Sequence, residues 1–248
     1  MDITPPELID TTTAISSLVE LLKDVPNYPP SIYIDLEGIN LCRRGSISIM
    51  QIFLLPKNQV YLIDVHTLGQ QAFSTGSPSG TTLKGVLEDE NIQKAFFDVR
   101  NDSDALYAHF GVHLAGIHDI QLLELATRSG SRRFINGLAR CIECDANLTW
   151  SETREWKDIK NSGRRLFAPE LGGSYEVFNA RPLSKDIVKY CAQDVRILPK
   201  LWRIYNDKLG MRWKEKIEVA TQDRINVCFQ ASYTGVGRDM ARSPPGWA

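Results

Sequence analysis

Alternation of apolar and polar positions is strictest at Ile32-Tyr33-Ile34-Asp35-Leu36-Glu37. A period of two puts Ile32, Ile34 and Leu36 on one face of a strand and Tyr33, Asp35 and Glu37 on the other. Two carboxylates therefore stand side by side on one strand face. Upstream, Ile15, Leu18, Val19 and Leu22 fall at helical spacing behind a Thr/Asp cap, and the prolines of residues 25–30 stop that helix. Residues 46–55 and 59–65 predict two more strands joined by Pro56-Lys57-Asn58, so the first three strands form an antiparallel meander. Residues 74–82 read as a loop and 83–87 as the start of a short helix. A fourth strand is expected over 93–98, a helix over 102–110 ended by Gly111, a short strand near 116–118 and a helix over about 119–127.

Beyond Ser129-Gly130-Ser131 the pattern is mostly helical, broken over 168–179. The clearest element is a long helix over 184–207, whose stripe runs through Ile187, Cys191, Val195, Leu198, Leu201, Trp202 and Tyr205, with a kink expected at Pro199. Asp194 interrupts that stripe and so points inward, where a carboxylate needs a cation, a hydrogen-bond network or a metal ion. Residues 211–233 can form one more helix. The organisation expected is a single domain over 1–234 and a loose tail over 235–248, which carries Pro244-Pro245. No repeat is visible.

A chain of 248 residues with 43% hydrophobic and 24% charged positions has enough apolar material for a full-sized core, which excludes disordered and collagenous classes. The apolar run at 47–55 is broken by Ser48 and Gln51 and falls short of the roughly 20 residues a membrane span needs. No membrane association is expected. The start, with acidic residues and Pro5-Pro6, lacks the basic end and apolar run of a secretory signal, so the expected location is intracellular, in nucleus or cytoplasm. Five cysteines are odd in number and sparse, which points to reduced thiols. Cys141 and Cys144 form a C-x-x-C without a second pair, more in keeping with packing one helical turn apart than with zinc or redox chemistry. His109 and His113 have no accompanying metalloprotease pattern.

Charge is uneven. Residues 1–127 hold 7 basic and 16 acidic side chains, and residues 128–248 hold 22 and 14. Such a division suggests a carboxylate-rich centre beside a phosphate-attracting surface, or simply scattered solvated charge. Asp35, Glu37 and Asp194 could converge on hard divalent cations, which prefer oxygen ligands and serve phosphodiester cleavage in pairs. Tyr190, four residues before Asp194, can reach the same region and orient a water.

At this point the residues carry a resemblance. Asp35-Leu36-Glu37-Gly38, continuing through Arg43-Arg44-Gly45 to Met50-Gln51-Ile52, resembles the first motif of the DEDD superfamily of 3′-5′ exonucleases. Tyr190-Cys191-Ala192-Gln193-Asp194, preceded by Ala180-Arg181-Pro182-Leu183, resembles the Y-x-x-x-D motif of its DEDDy branch. Asn101-Asp102-Ser103-Asp104 leading to Phe110-Gly111 and Asp119-Ile120-Gln121 matches the second motif and places Asp102 at the third acidic position, with Asp98, at the end of a strand, and Asp104, expected to be solvated on the helix, as competitors. The resemblance runs from about Thr12 to Trp202, to RNase D and more closely to Egalitarian-like 3′-5′ exonuclease domain proteins.

It implies an α/β, ribonuclease H-like fold: a mixed five-stranded sheet flanked by helices. It further implies that Asp35, Glu37, Asp102 and Asp194 hold two Mg²⁺ or Mn²⁺ ions, that Tyr190 positions the attacking water, and that nucleoside 5′-monophosphates are released from single-stranded RNA or DNA, RNA slightly favoured. Taken singly, the same residues have plainer readings: an exposed strand face for Asp35 and Glu37, a helix-start carboxylate for Asp102, a core-edge aromatic for Tyr190, an ion pair with Arg196 or Arg100 for Asp194. The alternative function is a catalytically inactive nucleic-acid-binding adaptor on the same fold; the Y-x-x-x-D motif disfavours an endonuclease.

Basic residues interleaved with aromatics between 128 and 167, among them Arg132, Arg133, Lys160, Arg164 and Arg165, are candidates for a nucleic-acid groove or for an outer helix face. Only 46 residues follow Trp202. A complete helical nucleic-acid-binding domain is thus not expected after the core, and grip must come from the core, a protein partner or a homo-oligomer.

Overall fold

The computed structural model describes residues 4–248. Among the described residues, six strands form one sheet: β1 (Glu7–Ile9), β2 (Ile32–Glu37), β3 (Ile49–Leu54), β4 (Gln59–Asp64), β5 (Lys94–Phe96) and β6 (Ile117–Asp119), in the order β1-β4-β3-β2-β5-β6. Strands β2, β3 and β4 make the expected antiparallel meander, while β5 runs parallel to β2 and β6 parallel to β5. The sheet has six strands instead of five because β1 lies parallel along β4. At three residues, only Ile9 of them buried, β1 is too short to show a period of two.

Helices cover both faces. On one lie α1 (Thr12–Leu22), the short α2 (Val65–Leu68), α3 (Gln71–Ser74) and α4 (Leu83–Glu88), and α5 (Arg100–Phe110); on the other lie α6 (Ile120–Thr127), α7 (Leu138–Asp145), α8 (Trp150–Phe167), α9 (Lys185–Asp207) and α10 (Met211–Ile225). Ile32, Ile34 and Leu36 join the first core; Tyr33 joins the second. The alternation read in β2 therefore holds, and Asp35 and Glu37 point to the face that α9 crosses. All seven stripe residues of α9 are buried, its N-terminus is capped by the Ser184 hydroxyl, and the helix continues through Pro199.

Three expectations need correction. The last helix stops at Ile225, followed by a 3-10 turn over Asn226–Phe229, so it is shorter than 211–233. Residues 235–248 are not a loose tail: Trp247 is buried edge-on against Trp213, Ile135 N–H donates to Ala241, and Ser243 N–H donates to Arg133. An aromatic anchor two residues past Pro244-Pro245 fixes that segment. Asp104, expected to be solvated, is 1% exposed because Arg43 of the β2–β3 loop takes its carboxylate through the backbone N–H (2.8 Å) and Nε (2.7 Å).

Candidate active site

β2 and α9 build the centre of the site. One carboxylate oxygen from each of Asp35, Glu37 and Asp194 lies within 4.8 Å of the others. Asp35 and Glu37 are neighbours on the strand face, and Asp194 reaches them because the α9 stripe is inward-facing at that position. Asp102 stands outside this trio, in the first turn of α5, buried and close enough for the Asp35 charge to act on it. Of its competitors, Asp98 is committed to Arg100 through two bonds of 2.6 and 2.5 Å, and Asp104 to Arg43. Asp102 is the one left with a buried, unpartnered oxygen, Oδ1.

The electrostatics follow from this crowding. Burial and the charge of Asp194 push Asp35 up to about 7. Burial, then Asp35 and Asp194, drive Glu37 well above the usual carboxylate range. Burial and Asp35 do the same to Asp102. Tyr190 is raised by burial and by Glu37, Asp194 and Asp35, so its phenol keeps its proton at neutral pH. Asp194 Oδ1 is buried without a hydrogen-bond partner. All-oxygen donors with excess negative charge and orphaned oxygens suit a hard divalent cation, and these residues could hold one.

The cation that faces Asp194 is Lys160 of α8, not Arg196 or Arg100. Its Nζ lies 2.8 Å from Asp194 Oδ2, 3.5 Å from the Tyr190 hydroxyl and 4.8 Å from the centre of the Tyr190 ring. Arg196 instead donates to the Thr4 carbonyl. Sequence reading counted Lys160 only as one of a run of basic residues. The missed signal was Gly163, three residues on and so on the same helix face: a Cβ there would sit 2.5 Å from Tyr190 Cδ2. Gly163 lets α8 press against the ring and brings Lys160 over it. Gly163→Ala is expected to lower the urea midpoint by an amount worth about 1–3 kcal/mol, outweighing the helix propensity alanine adds; an unchanged midpoint would mean that α8 shifts away freely.

Two further contacts explain motif residues. Gly38 is required because a Cβ there would meet the Ser46 carbonyl oxygen at 2.0 Å, where the β2–β3 loop closes on itself. Arg181 grips Asp64 at the end of β4 with bonds of 2.5 and 2.6 Å, and neighbouring Asn179 accepts from Ser48 (2.7 Å), tying the segment before α9 to the sheet. The predicted nucleic-acid residues are placed less centrally. Arg132 donates to the carbonyls of Leu125, Ala126 and Arg128, Arg133 lies over Phe134, Arg164 pairs with Glu170, and Arg165 is exposed. Cys141 is buried and Cys144 exposed, both as free thiols.

A family of domains described as 3′-5′ exonuclease matches residues 6–209, most of the chain. The chain belongs to this family, of the DEDD, RNase D-like type. Its members typically use divalent metal ions, and nuclease function is what membership supports. The Mus musculus protein described as piRNA biogenesis protein EXD1 is 29% identical over 181 residues, which cover 70% of this chain and 28% of that protein. The chain thus spans less than a third of the curated relatives it matches. Trypanosoma brucei RNase D, solved in complex with RNA, superposes with a TM-score of 0.74 at 23% identity over 99% of this chain and 78% of that one. Escherichia coli RNase D, an exoribonuclease, gives 0.59 at 21% over 92% and 52%. These likenesses speak for the fold, which is α/β and ribonuclease H-like. Among the described residues no helix is long and apolar enough to cross a membrane.

Proposed function

We propose that this chain is a metal-dependent 3′-5′ exonuclease that releases nucleoside 5′-monophosphates from single-stranded nucleic acid, RNA ahead of DNA. The observation that carries the reading is the meeting of Asp35, Glu37 and Asp194 within 4.8 Å beneath the Tyr190 phenol. Asp35, Glu37 and Asp194, with Asp102 beside them, would hold two Mg²⁺ or Mn²⁺ ions. When bound, such ions supply positive charge for the phosphoryl oxygens and lower the pKa of water.

The chain's own groups do the rest. In the ion-free fold burial and the neighbouring carboxylates raise Tyr190, and its phenol O–H serves as a hydrogen-bonding orienter of the attacking water. Lys160 supplies one fixed positive charge against the carboxylates and holds the Tyr190 ring from the α8 side. Asp98 and Arg100 satisfy each other at the start of α5, which leaves Asp102 uncommitted there.

The test is a gel assay of 5′-labelled single-stranded RNA and DNA with Mg²⁺ or Mn²⁺. A ladder shortening from the 3′ end is expected, faster on RNA, abolished in Asp35→Ala and slowed about 10²-fold or more in Tyr190→Phe. Metal-dependent binding with no shortening of either strand would overturn the reading in favour of an adaptor. The ion pair between Lys160 and Asp194 is the feature that favours that second reading, since it engages one of the three clustered carboxylates.

A further inference from the structure

Cations on the two basic helices of the second half are treated differently. On α8 all but the exposed Arg165 are neutralised: Arg154 faces Asp158, Lys157 faces Glu143, Lys160 faces Asp194 and Arg164 faces Glu170. On α10, Arg212 and Lys216 are exposed and, among the described residues, neither forms an ion pair. Both lie over the Trp213 ring instead, Lys216 Nζ 5.0 Å and the Arg212 guanidinium 5.9 Å from its centre. A third cation, Arg132, is 5.0 Å from the same ring. An aromatic face holds a cation in place without cancelling its charge. Like charges gathered around one indole repel, and an anion relieves that repulsion.

The same place is a cavity of about 280 Å³ lined by Arg212, Trp213, Lys216, Gly246 and Trp247. Trp247 closes it, set edge-on to Trp213 with centroids 4.9 Å apart. The chain that delivers Trp247 comes directly from a second basic and aromatic point, where the Arg242 backbone bridges that of Phe134, the Arg242 side chain faces the exposed Asp239 at 3.5 Å, and Arg133, without an ion pair among the described residues, lies over the half-exposed Phe134 ring. Trp247 lies five positions after Arg242, a reach of at most about 17 Å. Two cation–aromatic points are thus joined within the length of a few nucleotides.

We infer that the Trp213–Trp247 cavity and the Arg133–Phe134–Arg242 point together form a second contact site for the phosphodiester backbone of a single-stranded nucleic acid, outside the carboxylate centre. Alternating cations and aromatic rings are the means by which such strands are held without sequence preference. The site rests on the nucleic-acid reading above and adds to it the place where the body of the strand is gripped. That grip comes from α10 and the C-terminal segment, with Arg164 of α8 already paired to Glu170.

The experiment measures fluorescence anisotropy of a labelled uridine dodecamer and a uridine dinucleotide, in Ca²⁺ to prevent turnover, for wild type, Arg212→Gln/Lys216→Gln and Arg212→Glu/Lys216→Glu. The charge reversal is expected to weaken dodecamer binding at least tenfold and the neutral pair several-fold, with dinucleotide affinity within twofold of wild type. The slope of log K against log salt should fall by about 1.4 in the neutral pair, the value for two lost phosphate contacts on a single strand. Dodecamer affinity unchanged in both variants would overturn the site, as would equal loss on the dinucleotide. Displacement of the dodecamer by hexaglutamate at equal concentration would overturn it in favour of an acidic protein ligand. A wild type that grips the dodecamer through this cavity yet shortens no strand in Mg²⁺ would leave the site standing and sink the exonuclease reading.

Discussion

Asp35→Asn is expected to stabilise the ion-free protein at pH 8 by about 2 kcal/mol, roughly 4–8 °C in melting temperature, while removing its strand-shortening activity. The sign follows from the site. The aspartate titrates at 3.8 when unperturbed and at about 7 in the fold, where burial and Asp194 oppose its charge. Below 3.8 both states carry the proton and the group contributes nothing to the balance. Between 3.8 and 7 the unfolded chain gives up a proton that the fold retains, so stability falls as pH rises; above 7 the full penalty is present. The magnitude is less than the shift alone would give because the side chain keeps a partly open face. Melting curves in EDTA at pH 5 and pH 8 should show the gap between variant and wild type widening with pH, and Mg²⁺ at pH 8 should raise the wild type alone. A variant less stable than wild type at pH 8 would show that the carboxylate supports the fold instead of straining it.

The largest loss of stability is expected from Asp119→Ala, about 3–5 kcal/mol. Asp119 is fully buried and accepts from five groups: the backbone N–H of Asp98 and Val99 (both 3.2 Å), of Gln121 (3.0 Å) and of Leu122 (3.4 Å), and Arg224 Nη1 at 2.8 Å. It caps α6 and pins the turn that starts α5, one turn before Asp102. Removing it leaves Arg224, a 6% exposed cation on α10, with only Asp98 at 3.5 Å, a carboxylate already held by Arg100, and beside free N–H donors. Urea unfolding of Asp119→Ala and of Asp119→Ala/Arg224→Met separates the causes, since the double variant should regain the part owed to the stranded charge. A single-variant loss below about 1 kcal/mol would mean that water replaces the carboxylate without difficulty.

How much of this was readable from residues depended on the distance over which a signal acts. Asp35, Glu37, Tyr190 and Asp194 were legible because period two and period 3.6 fix which way a side chain faces, and the structure brings all four together. Asp102 was placed among three neighbouring aspartates by motif; what separates it from Asp98 and Asp104 is that Arg100 and Arg43 claim the other two, a choice made across 61 residues in the case of Arg43. Lys160 was hidden for the same reason, since its partner lies 34 residues away and the one local signal, Gly163, gains its meaning only from the Tyr190 ring packed on it. The C-terminal segment was misread because polar, proline-rich composition describes solvation, whereas one tryptophan packed on another decides the position of residues 242–247. Asp119 was read only as the start of a helix and part of the second motif, and its link to Arg224 spans 105 residues.

The two edges of the sheet, β1 and β6, are each three residues long, while three of the four interior strands, β2, β3 and β4, are six. A long bare edge is a template on which other chains can add, and a short one is not. β1 covers Tyr61, Leu62 and Ile63 of β4, and the segment carrying it is fastened by Gln59 Nε2 to the Pro5 carbonyl (2.8 Å) and by Arg196 to Thr4. Residues 4–9, at the far edge of the sheet from β2, thereby keep an apolar strand from seeding aggregates, so trimming to Asp10 would cost solubility before it cost catalysis.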